Sequence, residues 1–327
     1  MKTNKELGVA LWGLGRHAKK NLLPAIQSSK LMDLAGVYTR NHGNAKQAVR
    51  EYGGVAWESC PDMLKDPNVD VVYIATPTGL HFEQSQEVLN AGKHLICEKA
   101  LTDDAGKSLT LIQLAKEKNR VLCEAFMYVY HPQFRKVMEL IQNPLFGKFL
   151  NFSCYFGIPT LDNPGFRNCK ELGGGAFLDV GSYTFFTAVS LLEDLPTGLK
   201  VEMEYQDDNI DVSGVAHLRF GTSQHGYLNW GYHRAYRAEL MVWGENQSLY
   251  ADRIFSKSDD YMSSVLLKDV HGQETRISIE PANSFVEMFK AIYSAVHNQT
   301  DRELLFEQAK RQAKIMGMAC DIAETCR

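Results

Sequence analysis

Over the first third of the chain, apolar runs of strand length alternate with amphipathic stretches of helical period. The run Val9 to Trp12 in LGVALWGLG reads as a strand entering a glycine turn, and the following RHAKKNLLPAIQSS sets Leu22, Leu23 and Ile26 on one helical face. LMDLAGVYTR predicts a second strand, NAKQAVREYG a helix, CPDMLKDPNVD an acidic amphipathic piece, and VDVVYIATP a strand rich in β-branched residues. HFEQSQEVLNAGK predicts a helix stopped at Gly92, and it leads directly into the strand HLIC. SLTLIQLAKEKN and RVLCEAFMYVYHP predict one more helix and one more strand. Strands alternating with helices of this length form parallel β-α-β units, an α/β doubly wound sheet with helices on both faces.

Beyond about residue 148 the pattern changes. KFLNFSCYFGI, VEMEYQ, VSGVAHLRFG, QHGYLNWGYHR, AELMVWG and TRISIE have strand character and are separated by short turns rich in Gly, Asp or Asn. That is the pattern of an antiparallel meander. One long helical stretch, AFLDVGSYTFFTAVSLLED, interrupts it, and a helical tail from Ser284 closes the chain. Two domains follow, with boundaries at 1–125 and 126–327.

Length supports this division, since 327 residues exceed one ordinary hydrophobic core. A hydrophobic content of 45% and a charged content of 23% are those of a soluble globular protein. The net charge of −4 supplies no electrostatic reason for nucleic acid or an anionic membrane as partner. MKTNKELGVA has no apolar region of signal-peptide length, and no later segment approaches an uncharged membrane span, so a cytoplasmic location is expected. Seven cysteines, Cys60, Cys97, Cys123, Cys154, Cys169, Cys320 and Cys326, are odd in number and form no CxxC pair. Reduced structural thiols are expected, with no metal site and no disulfide framework.

The first chemical motif is Gly13-Leu14-Gly15-Arg16-His17-Ala18, a GxGxxA sequence between strand and helix. The first glycine makes the tight turn, the second admits a pyrophosphate to the backbone, and the small Ala18 lets helix and strand pack closely. The helix N-terminus offers free N–H groups to the phosphates. A glycine-rich turn without a ligand is the ordinary alternative. At the end of the second strand, Tyr38-Thr39-Arg40-Asn41 contains no acid before Glu51. An acid there would select NAD through the ribose 2′-hydroxyl, whereas Arg40 can pair with a 2′-phosphate and stack on adenine. NADP is therefore the expected cofactor, with NAD as the alternative should Arg40 be a solvated loop residue.

IATPTGLHF and HLICEKALT both end at the carboxyl edge of the same parallel sheet, where open α/β folds bind ligands. Glu98 and Lys99 would face that crevice. In the second domain, ELGGGAFLDVGSYTFF places Gly173 to Gly175 before a largely apolar helix on which Asp179 and Tyr183 share a face. An acid and a phenol on such a helix call for a partner or a ligand, or else Asp179 caps or salt-bridges and Tyr183 belongs to the core.

Taken together, the glycine fingerprint, ATPTGLH before a helix, GKHLICEKALT, EAFMYVYHPQ and GGGAFLDVGSY resemble, in order and spacing, the glucose-fructose oxidoreductase, inositol dehydrogenase and rhizopine-catabolism (Gfo/Idh/MocA) family. EAFM, HPQ and the Asp-x-Gly-x-Tyr spacing resemble most the branch of dimeric dihydrodiol dehydrogenases, NADP-dependent xylose dehydrogenases and glucose-fructose oxidoreductase. The resemblance implies an N-terminal Rossmann domain and a C-terminal α/β domain built on a large, mostly antiparallel open sheet through which homodimers or homotetramers form. It implies hydride transfer between nicotinamide and a sugar, sugar derivative or related polyhydroxy alcohol or carbonyl. Gly13, Gly15, Arg16, His17, Thr39, Arg40, Thr76, Pro77, His81, Glu98 and Lys99 are then cofactor-binding, and Lys99, Tyr183 and Asp179 catalytic.

Hydride addition to a carbonyl builds negative charge on oxygen, which needs a proton donor and a fixed positive charge. An ordinary tyrosine ionises near pH ~10, and an adjacent ammonium favours the ionised form. Tyr183 as general acid/base and Lys99 as its electrostatic partner form a coherent pair, while Asp179 either orients Lys99 or hydrogen-bonds a substrate hydroxyl. His131 and Arg167 join Tyr183 as the candidate substrate-binding set, with Trp230 and His233 as further candidates to line the site. Each of these four also has an ordinary reading as a turn, rim or sheet residue. Ala100 stands where the family motif has proline, and Val129 where many relatives of this branch have arginine. Two other functions fit the same fold: retained NAD used for transient oxidation, as in glycoside cleavage, and a dinucleotide-sensing regulator without chemistry.

Overall fold

Six short strands, most of them apolar on both faces, form the sheet expected of the first third. A computed structural model of the chain describes residues 5–206 and 210–325. In it β1 (Leu7–Trp12), β2 (Met32–Tyr38), β3 (Val55–Ala56), β4 (Val71–Ile74), β5 (His94–Cys97) and β6 (Leu122–Glu124) pair in parallel in the order β3-β2-β1-β4-β5-β6. The chain winds outward in one direction from β1 to β3 and in the other from β4 to β6. The carboxyl ends of β1 and β4 therefore flank the switch point at which open α/β sheets bind ligands. All four residues of β4 are buried, as a sheet covered on both faces requires. Ala10, Trp12, Val72, Ile74, Leu95 and Cys97 share one core with Val88, Leu111, Ile112 and Phe306.

Phe306 marks a departure from the expected boundaries. The first compact unit runs to Met127 and also takes in Phe285–Lys310, while the second comprises Tyr128–Ser284 and the chain from Arg311. The break near 125 lies two residues early, and the C-terminal helical tail is divided rather than assigned whole to the second domain. Its apolar positions complete the first core, a pairing that no local pattern encodes.

In the second unit β7 (Phe149–Gly157), β8 (Gly198–Tyr205), β9 (Asp211–Phe220), β10 (Gln224–Gly231), β11 (Arg237–Gly244), β12 (Gln247–Ala251), β13 (Ser263–Asp269) and β14 (Glu274–Ile279) form one sheet in the order β14-β13-β12-β11-β7-β10-β9-β8. Its pairs are antiparallel except β7 with β10. Burial alternates along β9 and β11, so one face is core and the other is not. The core face packs on the helix Ser182–Leu192. On the opposite face Val215, Tyr227, Met241 and Trp243 are 43 to 61% exposed.

One local expectation changes. The strand expected over RVLCEAFMYVYHP is only Leu122–Glu124, because β6 pairs with β5 alone and that ladder ends at Cys97. Met127–Tyr130 then turn in a 3₁₀ segment, and a helix runs from Pro132 to Gln142. Lys170–Leu192 is long and apolar enough to pass as a membrane span by length and composition, but it carries Lys170, Glu171 and Asp179, and 83% of its most apolar window is buried in protein, as in a core helix. Cys60, Cys97, Cys123, Cys154, Cys169 and Cys320 are free thiols, and Cys326 lies outside the described residues. No cluster of three or more metal-ligating side chains occurs among the described residues.

Candidate functional site

At the end of β1 the backbone itself dictates the residue type. Gly13 has φ +100°, and a Cβ there would stand 2.8 Å from the carbonyl oxygen of Ala75. A Cβ on Gly15, by contrast, would meet nothing within 4 Å. The first glycine is required by the turn, and the second leaves open the approach that a pyrophosphate needs, so the loop fits a dinucleotide. Arg16 and His17 are exposed where the helix begins, and buried Ala18 opens a π-helical turn, Ala18–Leu22, that continues as the α-helix Leu23–Ser28. Beyond β2, Thr39 is half-buried and Arg40 exposed, while Asn41 caps the next helix, its side chain accepting from the Asn44 amide at 3.2 Å. A cavity of about 160 Å³ near Glu6, Met32 and Asp33 opens at the other, amino edge of this sheet and contains none of these residues.

The ends of β4 and β5 are held by side chains. Thr76 donates its hydroxyl to Gln84 Oε1 at 2.6 Å, and half-buried Pro77 leads into the 3₁₀ turn Thr78–Leu80. His81, assigned to the cofactor from sequence, is fully buried: Nε2 lies 2.9 Å from Thr76 O and Nδ1 2.9 Å from Ala100 O. It braces one loop against the next and offers no nitrogen to a ligand. Burial lowers its pKa, opposed by the two carbonyls and the Glu98 charge. Glu98 is likewise engaged, its Oε1 accepting from Tyr73 Oη at 2.7 Å and from His17 Nε2 at 3.1 Å. Asn21 Nδ2 lies 2.9 Å from His17 Nδ1. Burial works to raise the Glu98 carboxyl, but the His17 charge, these two hydrogen bonds and the Lys99 charge outweigh it and leave it below its ordinary value. Lys99 is half-buried and joins Ala100 through a cis peptide bond.

One acid that the sequence reading passed over stands beside this turn. Glu124, the last residue of β6, is 8% exposed, and its Oε1 accepts from the Leu101 amide at 2.9 Å. Burial raises its carboxyl to about 8, against the Leu101 hydrogen bond and the Lys99 charge. The signal available was an acid inside the otherwise apolar run VLCEAF.

In the second unit Gly175 has φ +118°, and a Cβ there would fall 2.2 Å from Asp211 Oδ1. The same carboxylate accepts from the Phe177 amide at 2.5 Å and so starts the helical stretch. That stretch opens as a π-helical turn, Phe177–Gly181, before the helix Ser182–Leu192, so Asp179 lies in a widened turn just ahead of Tyr183. Asp179 is 7% exposed; Arg167 Nε donates to its Oδ2 at 2.6 Å, and Tyr232 Oη stands 3.1 Å from the same oxygen and 2.9 Å from Gly175 O. Arg167 thus binds the acid rather than standing alone as a substrate contact. Burial works to lower the Arg167 pKa, but the Asp179 charge and hydrogen bond outweigh it and leave it raised, while burial and Asp179 push the Tyr232 phenol up. Tyr232 was also passed over, between the singled-out Trp230 and His233.

Tyr183 is 9% exposed and its ring packs against Phe156, Phe255 and Tyr128 at centroid distances of 5.1, 5.3 and 5.7 Å. His131 is not a substrate contact: it is fully buried, and its Nδ1 accepts from the Gln133 amide at 3.0 Å as the N-cap of the helix Pro132–Gln142. Burial, with the charges of Lys257 and Arg135, lowers it to about 4. Trp230 is core, 1% exposed between the rings of Phe177 and Phe185. His233 is an exposed turn residue at φ +57°, its Nδ1 2.9 Å from Thr160 Oγ1.

Residues 7–126 match the oxidoreductase family with NAD-binding Rossmann fold (GFO_IDH_MocA), and residues 134–250 match the GFO/IDH/MocA C-terminal domain. The chain is 28% identical over 309 residues to a dTDP-3,4-didehydro-2,6-dideoxy-alpha-D-glucose 3-reductase of Actinomadura kijaniata, covering 94% of this chain and 93% of that one. It is 31% identical over 277 residues to the enzyme of the same name from Streptomyces violaceoruber, covering 84% and 81%. A 3-ketoreductase from Actinomadura kijaniata, solved with NADP and TDP-benzene, superposes with a TM-score of 0.89 at 26% identity over 97% of this chain and 98% of that one. With both domain profiles matched in order and whole-chain relatives at this identity, the chain belongs to the Gfo/Idh/MocA family of oxidoreductases.

Proposed function

We propose that the protein is an NADP(H)-dependent oxidoreductase interconverting a carbonyl and an alcohol on a sugar, with a nucleotide-linked keto sugar as the preferred class of substrate. The observation that carries this reading is the position of Lys99, at the carboxyl end of β5 on the sheet edge that also bears the Gly13–Gly15 loop. The preference for NADP rests on Arg40, the first charged residue after β2. The nucleotide-sugar class rests on the relatives named as dTDP-sugar 3-reductases.

When bound, NADPH supplies the hydride. Gly13 and Gly15 would bring backbone amides to the pyrophosphate, with Arg16 and His17 at the helix start, while Thr39 and Arg40 would receive the adenosine ribose. Thr76 and Pro77 would border its nicotinamide end. The Lys99 ammonium stabilises the alkoxide as it forms, and the Tyr183 phenol gives it a proton. Asp179, held by Arg167 and Tyr232, accepts from a sugar hydroxyl.

The test is a panel of aldoses, ketoses, inositols, dihydrodiols and dTDP-linked keto sugars, followed at the nicotinamide absorbance band in both directions. Turnover of a keto sugar with NADPH is expected. A silent panel with tightly bound cofactor would replace this reading with transient oxidation or with sensing. We also infer a homodimer or homotetramer formed through the sheet face carrying Val215, Tyr227, Met241 and Trp243, since apolar side chains clustered on one face favour burial against a second copy. Sedimentation of the Trp243→Glu, Met241→Glu double variant checks it, with monomer expected.

A further inference from the structure

Ala100 follows Lys99, so no pyrrolidine ring restrains the chain there. A charge serving a reacting oxygen nevertheless has to be aimed within narrow limits. The peptide group that follows, between Ala100 and Leu101, has an enclosed side chain at each polar end, the His81 ring holding its carbonyl in the tautomer that carries the proton on Nδ1. Its carbonyl oxygen lies 2.9 Å from His81 Nδ1, and its N–H donates to Glu124 Oε1 at 2.9 Å.

Both gripping side chains are enclosed, His81 fully and Glu124 to 8% exposure. They come from separate elements. His81 begins the helix that follows β4, and Glu124 ends β6, where its register opposite Cys97 sets it level with the last residue of β5. A carboxyl group is seldom enclosed in a protein without a partner that needs it there. Burial raises this one to about 8, so its protonated form dominates at neutral pH, and a protonated carboxyl still presents a carbonyl oxygen to an N–H.

We propose that Glu124 is a positioning residue for Lys99: with His81 it clamps the Ala100–Leu101 peptide group and thereby sets the direction in which the lysine leaves β5. The inference rests on Lys99 being the charge that serves the reacting oxygen. What the clamp needs from position 124 is an acceptor of the right length, not a negative charge, so a glutamine replaces the glutamate and a leucine of similar bulk does not.

Amide hydrogen exchange at Leu101, read by NMR on the NADP-free protein, tests the clamp without any turnover. Slow exchange is expected in the wild type and in Glu124→Gln, with exchange roughly a hundredfold faster in Glu124→Leu as a buried bond worth a few kcal/mol is lost. In parallel, kcat for NADPH-dependent reduction of a dTDP-linked 3-keto sugar is expected to fall about a hundredfold in Glu124→Leu, as for a misplaced catalytic group, and to stay within about threefold in Glu124→Gln. NADPH affinity stays within about threefold in both. A Leu101 amide that exchanges as fast as exposed Asp103 in the wild type overturns the proposal, even if Glu124→Leu does not fold. Wild-type kcat in Glu124→Leu overturns it too. Wild-type kcat in Lys99→Met instead overturns the role given to Lys99, and the exchange pattern then still judges the clamp.

Discussion

In the first unit the residues of the dinucleotide loop and of the turn after β2 stand at the open ends of strands; in the second the candidate residues are sunk in a network of side chains. Gly15, Arg16 and Arg40 are exposed, and a Cβ on Gly15 would meet empty space. Asp179, Tyr183 and Tyr232 are each less than 10% exposed and touch partners up to 72 residues away in the chain, the distance from Tyr183 to Phe255. The difference follows from what each unit has to recognise. A pyrophosphate is bound by backbone amides, so the loop after β1 needs glycine geometry and little side-chain support. Polar groups enclosed in the second unit must have their hydrogen bonds supplied by the protein, so each one fixes its neighbours.

The contrast can be broken first at Tyr183. Tyr183→Phe keeps the ring packing and is expected to lower kcat by roughly 10²- to 10⁴-fold with NADPH binding unchanged; full turnover would strip the second unit of its proton donor. Next comes stability. Asp179→Asn uncouples the enclosed pair with Arg167 and should cost roughly 3 to 5 kcal/mol in urea unfolding, whereas Arg16→Ala, at an exposed loop, should stay within about 0.5 kcal/mol. Equal losses would erase the distinction between the units.

A smaller effect concerns acid. His131 has its folded pKa lowered from 6.5 to about 4, so between those values the unfolded chain binds the extra proton. Its contribution is complete above pH 6.5 and is lost as pH falls towards 4, amounting to roughly 3 kcal/mol. His131→Asn keeps a capping acceptor without a titrating ring, and its unfolding midpoint should fall less steeply with acid than that of the wild type. Smallest is Arg40→Ala, for which the NADPH over NADH preference, measured as a ratio of kcat/KM, should drop about tenfold, or about 1.4 kcal/mol. An unchanged ratio would move the 2′-phosphate contact away from Arg40.

The sequence alone was enough to determine the parallel sheet with its glycine loop, the meander after it, the strand that delivers Lys99 and the helix that carries Asp179 and Tyr183. These depend on periodicity and backbone constraints that act over a few residues, and they are written locally. The tertiary structure alone decided that the Phe285–Lys310 segment completes the first core, that His81 and His131 turn inward, and that Arg167 and Tyr232 belong to Asp179. It also set Glu124 against the peptide after Ala100. A buried polar group takes whichever partner the packing of distant segments brings within hydrogen-bonding reach, and no pattern along the chain carries that information.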